Sequence, residues 1–340
     1  MPMTETSWSG MEIADGIHRI ETPLGDRVNC VYLFVGTRSA LLFDTAVGPA
    51  VASHVKPYLA RVGVEPAQIR YVVNSHCDWD HHGGNGAVRD LAPAAALCCH
   101  ELDRPLIEDA DLLFARRYDE LAADGITEPT MTRGFVAANT RQVPIDIGLS
   151  GGERFCLGSG WAVDLLHTPG HSRGHVSIHD PRSRTAVVGD AVLGSAVLLA
   201  DGSPAFPPTY RYVDTYLATI QRLQAMQPDQ LMTAHYPVYR GPDAAAFLGE
   251  TRAFADQVEA ALREELTAAA EPVTLRALTG RLGPRLGQWP GEAHQFRSQP
   301  FQVTQQRLGQ ELVRLARPPA EPRAEPPGQL SHRDRFRGRG

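Results

Sequence analysis

Lysine is almost absent from this chain: among 33 basic residues only Lys56 is a lysine. An anionic group on a substrate would therefore be met by Arg, Tyr or backbone N–H. Cysteine is scarce as well. Cys30, Cys77, Cys98, Cys99 and Cys156 are odd in number and fit no zinc-ribbon spacing, which argues against a disulfide framework and for reduced thiols. No apolar run reaches the length of a membrane span. Met1 to Asp15 lacks a basic segment followed by an apolar stretch, so no secretory signal is expected. Excess positive charge is missing too: a net charge of -6 argues against a nucleic-acid surface spread over the whole protein. These absences lead to the expectation of a soluble, cytoplasmic protein with no membrane partner and no nucleic-acid partner.

What is present suits an ordinary globular protein. A length of 340 residues, 43% apolar and 21% charged, allows a large core and one to three domains. Strands are expected over Gly16 to Glu21, Val28 to Gly36, Ala40 to Phe43 and Ile69 to Val73, with helical spacing over Val51 to Val62, broken by Pro57. Another strand is expected over Ala94 to Cys99. This alternation predicts a layered α/β or α+β domain. Residues 101–142 interrupt the rhythm. They read either as a lid or substrate-facing wall or as a surface excursion, and Arg116, Arg117, Tyr118 and Arg133 are candidates to touch substrate.

The stretch Asn74-Ser75-His76-Cys77-Asp78-Trp79-Asp80-His81-His82-Gly83-Gly84-Asn85 follows the apolar run Ile69 to Val73. His76, Asp78, Asp80 and His81 can each hold a metal. The first three alternate, so an extended backbone would aim them to one side, and Gly83-Gly84 would turn the chain so that His81 points back. Imidazoles and carboxylates packed this closely are costly unless a cation lies between them. The bland alternative, a polar turn facing water, rarely combines alternating ligands, a Gly-Gly turn and a preceding buried strand. Cys77 points away from His76 and Asp78 on the same alternation and reads as packing.

Three further ligand-type residues stand at strand ends. His171 follows the expected strand Trp161 to Leu166, Asp190 follows Thr185 to Val188, and His235 follows Gln230 to Thr233. Strand termini on one sheet edge are where fixed side chains can converge. With the first loop they supply seven ligands, enough for two cations.

These motifs resemble the metallo-β-lactamase superfamily, which carries an H-x-H-x-D-H loop, a His after a T-P-G turn, an Asp after Gly, and a late His. The similarity runs over about residues 12 to 240, and Asp44-Thr45-Ala46 resembles the family's D-T-G turn with Ala46 in place of Gly. The resemblance implies an α+β fold, a four-layer αββα sandwich with the metals at one edge. It implies that His76, Asp78 and His171 bind one metal, Asp80, His81 and His235 the other, and that Asp190 bridges them. It also implies two zinc ions per chain. Asp78 departs from the pattern, because most members have a second His there. An anionic oxygen at that position tilts the choice toward iron or manganese without excluding zinc, or weakens the first site so that only the second fills. Asp44 reads as a partner of the metal loop. His82, His175, His100, His167 and His179 read as structural or surface histidines.

The leading expectation is a metallo-hydrolase of a small-molecule ester, thioester, lactone or amide. A metal-bound hydroxide would attack, with Asp80 and Asp190 as the catalytic carboxylates. The first alternative is an iron-dependent oxidoreductase using the same ligands, suggested by Asp78; the second, a nuclease, is disfavoured by the acidic balance. A secreted β-lactamase is disfavoured by the absent signal and the absence of lysine near the later motifs. The walls that would select a substrate are residues 101–142 and 194–212, where Tyr210, Arg211 and Tyr212 are candidates.

The metallo-β-lactamase-like domain is expected over 12–242 and a helical C-terminal extension over 243–316. The extension would hold helices at Ala244 to Ala270, Val273 to Leu282 and Val303 to Ala316, with Phe247, Phe254, Val258 and Leu262 on one face of the first. Its expected role is packing or formation of a homodimer, since no basic recognition helix is evident. Residues 317–340, dominated by Pro, Arg, Glu and Gly, are expected to be disordered.

Overall fold

Two hydrophobic faces per strand are the first requirement of a sheet buried on both sides, and the strands here have them. The computed structural model describes residues 10–124, 127–271, 273–287 and 289. Its first sheet holds β1 (Gly10–Ala14), β2 (Ile17–Leu24), β3 (Arg27–Val35), β4 (Ala40–Phe43), β5 (Ile69–Val73), β6 (Ala96–His100) and β7 (Ile147–Leu149), in that spatial order. β1 to β4 pair antiparallel as a meander, and β4 to β7 pair parallel. The second sheet is built from β8 (Arg154–Gly158), β9 (Trp161–His167), β10 (Val176–Asp180), β11 (Thr185–Gly189), β14 (Gln230–Thr233) and β15 (Tyr239–Arg240). In it only β11 and β14 run parallel. Between them, β12 (Val197–Leu198) and β13 (Pro204–Phe206) form a small hairpin.

Side-chain alternation divides the core into layers. On β3, Tyr32 and Phe34 face the second sheet, while Val31 and Leu33 face the opposite way. On β11, Val187 faces the first sheet, and Ala186 and Val188 pack toward the helices Val213–Met226 and Pro242–Ala268. The outer face of the first sheet is covered by the helical stretch Gly48–Arg61 and by Val88, Ile107 and Leu113. The order is helix, sheet, sheet, helix: the expected αββα sandwich.

Several local expectations are refined. Pro57 does not break the helical stretch. The turn Val51–Val55 is π-helical, and the α-helix Lys56–Arg61 begins with Pro57 in its first turn, where a missing N–H is tolerated. β1, β7 and β10 are short strands that did not stand out in the sequence; they pair with β2, with β6, and with β9 and β11. The first part of the 101–142 segment is anchored, with Ile107 and Leu113 in the core and the π-helical turn Phe114–Tyr118 directed at the 76–82 loop, whereas Met131 and Phe135 farther on are exposed.

The helix Pro242–Ala268 buries Phe247, Phe254, Val258 and Leu262, the face expected for it. Its second half forms a separate small core with Leu275, Leu278 and Leu282 of the helix Leu275–Leu286, and with Trp289. The expected helix at Val303 to Ala316 and the expected disordered tail 317–340 lie outside the described residues. Among the described residues, no helix is long and apolar enough to cross a membrane.

Candidate metal centre

The C-terminal ends of β4, β5, β9, β11 and β14 open on one edge of the sandwich, and each is followed by a residue of the candidate site. Asp44 follows β4, the loop from Asn74 follows β5, His171 follows β9, Asp190 follows β11 and His235 follows β14. Rigid strands thus fix the roots of side chains that lie far apart in sequence.

The metal loop is not extended throughout. Asp78 is extended (φ -72°, ψ 136°) and starts a single helical turn, Trp79–His82. His76 lies in a bend ahead of Asp78 rather than in an extended run, and Asp80 and His81 are consecutive residues of a helical turn that face a different group. Gly83 and Gly84 do not supply a left-handed turn either, since both have helical backbone. They are needed for close approach. A Cβ on Gly84 would lie 2.3 Å from the Thr45 carbonyl oxygen, and one on Gly83 would lie 2.5 Å from that of Trp79.

The turn Asp44–Ala46 receives that close packing. Asp44 and Ala46 have φ of 65° and 53°, so Ala46 takes the left-handed backbone for which glycine is suited. Thr45 N–H donates to the His81 carbonyl (2.8 Å) and Gly84 N–H to that of Ala46 (2.8 Å). Asn74 and Asn85 exchange side-chain hydrogen bonds of 3.0 and 2.8 Å behind the loop. None of these asparagines stood out in the sequence, because amides next to a turn are unremarkable until they are seen paired.

Two groups of ligand-type atoms converge. His76, His171 and Asp190 form one, and Asp80, His81 and His235 form the other; within each group the atoms lie within 4.8 Å of one another. Asp190 Oδ2 lies 3.3 Å from His235 Nε2, 3.6 Å from His81 Nε2 and 3.9 Å from His171 Nε2, so it faces both groups. Ligands of a tetrahedral ion with bonds of about 2.0–2.1 Å lie about 3.3–3.4 Å apart, close to these separations.

The outer ring nitrogens are held by protein atoms. His81 Nδ1 lies 2.9 Å from Asp44 Oδ2, and His235 Nδ1 lies 2.8 Å from the Val28 carbonyl, which can only accept. His76 Nδ1 lies 2.9 Å from Ser75 Oγ. This orientation leaves Nε2 of each ring for the site. His76 Nε2, His81 Nε2 and Asp190 Oδ1 are buried and have no hydrogen-bond partner. Unpartnered ligand-type atoms are costly in an apolar interior, and a divalent cation at the second group would satisfy His81 Nε2 and Asp190 Oδ1.

Electrostatics point the same way. Burial disfavours a charged His81, yet Asp80, Asp44 and Asp190 outweigh it and raise its pKa to about 10. Burial would raise the Asp190 pKa, but His235, His81 and His171 hold it well below the usual carboxylate range. His76 is lowered by burial and by the neighbouring His81 and His171. The carboxylates act as an anionic lining that attracts positive charge.

Asp78 stands beside the first group, with Oδ2 2.9 Å from His171 Nε2 and 3.5 Å from His76 Nε2, but its partners set it apart. It faces Arg117, whose Nε lies 2.6 Å from Oδ1 and whose Nη2 lies 2.7 Å from Oδ2. Tyr118 Oη donates to Oδ1 at 3.1 Å. Arg117 and Tyr118 entered the reading of the sequence only as candidates for substrate contact. An aspartate in a position where histidine is usual was the signal that a basic partner was needed.

Asp103 gave no signal at all. It is buried, and it accepts from Cys77 N–H (3.1 Å), Ser172 Oγ (2.5 Å) and Gly174 N–H (2.8 Å), tying the loop at 76–78 to the loop at 171–174. Cys77 packs into the core as expected. His175 fixes the Asp190 backbone, accepting from its N–H at 3.2 Å, and lies 3.0 Å from Thr168 Oγ1. His82 is buried with Nε2 unpartnered. His100 and His167 stack on each other at 4.3 Å, and neither belongs to the two groups.

Comparison with known proteins agrees with this architecture. Residues 24–235 match the model of the metallo-beta-lactamase superfamily. Over 169 residues the chain is 27% identical to a hydroxyacylglutathione hydrolase of Thermosynechococcus vestitus, covering 48% of this chain and 53% of that protein. Over 121 residues it is 30% identical to an N-acyl homoserine lactonase of a Bacillus species, covering 35% of this chain and 36% of that protein. The chain thus spans about half of the first relative's length and about a third of the second's. The crystal structure of the metallo-beta-lactamase family protein TTHA1429 from Thermus thermophilus superposes with a TM-score of 0.69 at 21% identity, covering 88% of this chain and 95% of that one, a likeness of fold. With the family model matched across most of the sandwich and the ligand-bearing strand ends in the family's order, this chain belongs to the metallo-beta-lactamase superfamily.

Proposed function

We propose that the protein is a metal-dependent hydrolase of a small-molecule ester, thioester or lactone. The observation that carries the reading is the convergence of Asp80, His81, His235 and Asp190 with His81 Nε2 and Asp190 Oδ1 buried and unpartnered. When bound there, zinc supplies Lewis acidity and a nucleophile from water near neutral pH.

The chain's own residues have distinct tasks. Asp44 and the Val28 carbonyl keep His81 and His235 in the tautomer that offers Nε2 inward. Asp190, held as a carboxylate, faces both groups and sets the negative charge of the site. Asp80 is the ligand-type carboxylate of the second group with partial exposure, 12% of its side chain, and is the candidate to hold a proton, on the oxygen a cation would leave free, as the leaving group departs. Arg173 and Tyr212, joined at 3.1 Å near His171, are candidates to flank the substrate on the outer side. The two relatives named for hydrolysing an acyl-glutathione and an acyl homoserine lactone support an acyl substrate. The iron oxidoreductase reading rested on Asp78 as a free ligand and loses that support, because Arg117 engages both of its oxygens.

The test is turnover of a panel of acyl thioesters, lactones and simple esters by the zinc-loaded protein and by Asp190→Ala. A loss of at least 100-fold in the variant is expected. Full activity in the variant, or no turnover of any member by the loaded parent, overturns the reading.

A further inference from the structure

Nothing in the sequence assigned Arg117 to the metal centre, yet it is 3% exposed and sits among its residues. Its guanidinium makes the bidentate contact with Asp78 described above. Nη1 donates to the His171 carbonyl at 2.7 Å, and Nη2 also lies 2.8 Å from His171 Nε2. A guanidinium only donates.

That last contact constrains His171. Its Nε2 lies 2.8 Å from Arg117 Nη2 and 2.9 Å from Asp78 Oδ2. Without a proton, Nε2 accepts from Arg117; with one, it donates to Asp78. Neither arrangement leaves a lone pair for a metal. Asp78 is engaged on both oxygens: Oδ1 accepts from Arg117 and Tyr118, Oδ2 accepts from Arg117, and the remaining acceptor site of Oδ2 lies against His171 Nε2 at 2.9 Å. Of the first group, only His76 and Asp190 remain free to ligate. A second divalent ion there would also meet a fixed positive charge in a buried site, where screening is weak.

We infer that Arg117 takes the place of the first metal, neutralising Asp78 and joining it to the His171 loop, so that the protein binds one divalent cation per chain, at Asp80, His81, His235 and Asp190. The inference rests on the metal-centre reading above and revises its expected two equivalents to one. Arg117 acts as a positioning residue, an internal cation linking strand-end loops that a first metal would otherwise link. The π-helical turn Phe114–Tyr118 presents the consecutive residues Arg117 and Tyr118 to the same carboxylate.

The experiment is zinc stoichiometry by elemental analysis after equilibrium dialysis of the full chain, with circular dichroism as the folding control. One equivalent is expected in the parent, retained in His76→Ala and lost in His235→Ala. Arg117→Met, which uncovers Asp78 and His171, is expected to bind two, and Arg117→Lys, which keeps a cation, one. Should Arg117→Met fail to fold, the double variant Arg117→Met with Asp78→His is expected to bind two. Two equivalents in the parent, loss of the single equivalent in His76→Ala, or one equivalent in a folded Arg117→Met overturns the inference. Zero equivalents in the parent overturns the metal-centre reading beneath it.

Discussion

Asp44 Oδ2 lies 2.9 Å from His81 Nδ1, and Oδ1 of the same carboxylate accepts from Ser75 N–H at 2.7 Å. Ser75 Oγ lies 2.8 Å from Oδ2 as well. One buried carboxylate at the end of β4 therefore sets both the backbone at the start of the metal loop and the tautomer of a ligand-type ring. The left-handed backbone of Asp44 (φ 65°) is what turns its side chain under the loop.

Asp44→Asn should weaken metal binding while leaving the fold. An amide has one accepting oxygen, so either Ser75 N–H or His81 Nδ1–H loses its partner. A fall of about 10–100-fold in zinc affinity is expected, the range for loss of a hydrogen-bond partner behind a metal ligand. Competition with a chromophoric chelator measures it, and unchanged affinity would remove Asp44 from this role.

Asp103→Ala should destabilise the protein by about 3 kcal/mol, because it leaves Cys77 N–H, Ser172 Oγ and Gly174 N–H without their buried acceptor. Chemical denaturation of the metal-free protein reads the change directly. A loss under about 0.5 kcal/mol would mean that water replaces the carboxylate.

Gly84→Ala should cost about 2–3 kcal/mol and reduce zinc affinity together. The added Cβ meets the Thr45 carbonyl oxygen, a backbone atom that cannot swing aside, at 2.3 Å and must push the 81–84 turn away from the 44–46 turn. By contrast, Gly63 has open space beside its Cβ position, so any cost of Gly63→Ala would come from its left-handed backbone (φ 70°) rather than from a clash. Thermal melts of Gly84→Ala with and without zinc separate the two effects, and wild-type behaviour in both would contradict the packing argument.

His82 makes stability depend on pH. Burial lowers its pKa from 6.5 to about 4, so the folded state keeps the ring neutral where the unfolded state protonates it. The unfolded state then binds more protons between these values, and stability rises with pH across that window. The contribution is fully present above about 6.5 and is lost as pH falls toward 4, by about 3 kcal/mol. His82→Phe should flatten the denaturation free energy over that interval relative to the parent; an unchanged slope would assign the acid sensitivity elsewhere.

The loop at 74–85, the strand-end residues His171, Asp190 and His235, and a layered α/β or α+β domain were legible in the sequence because each depends on local signals, whereas the four-layer αββα order followed only from the family resemblance. Buried strands announce themselves by apolar runs, turns by Gly and Pro, and ligand-type side chains by falling at strand ends. Residues 76–82 were legible as a cluster but not in shape, since one turn of helix between polar residues has no period to detect.

What the sequence by itself determined is the order of the ligand-type residues along the chain and the two-faced strands that carry them to one edge. Only the tertiary structure decided which of those residues remain free for a cation. Arg117 lies 39 residues from Asp78 and 54 from His171, in a segment whose course is set by packing against the core rather than by any local pattern. The pairing of a guanidinium with a carboxylate depends on where two surfaces meet, and that is fixed by the whole fold.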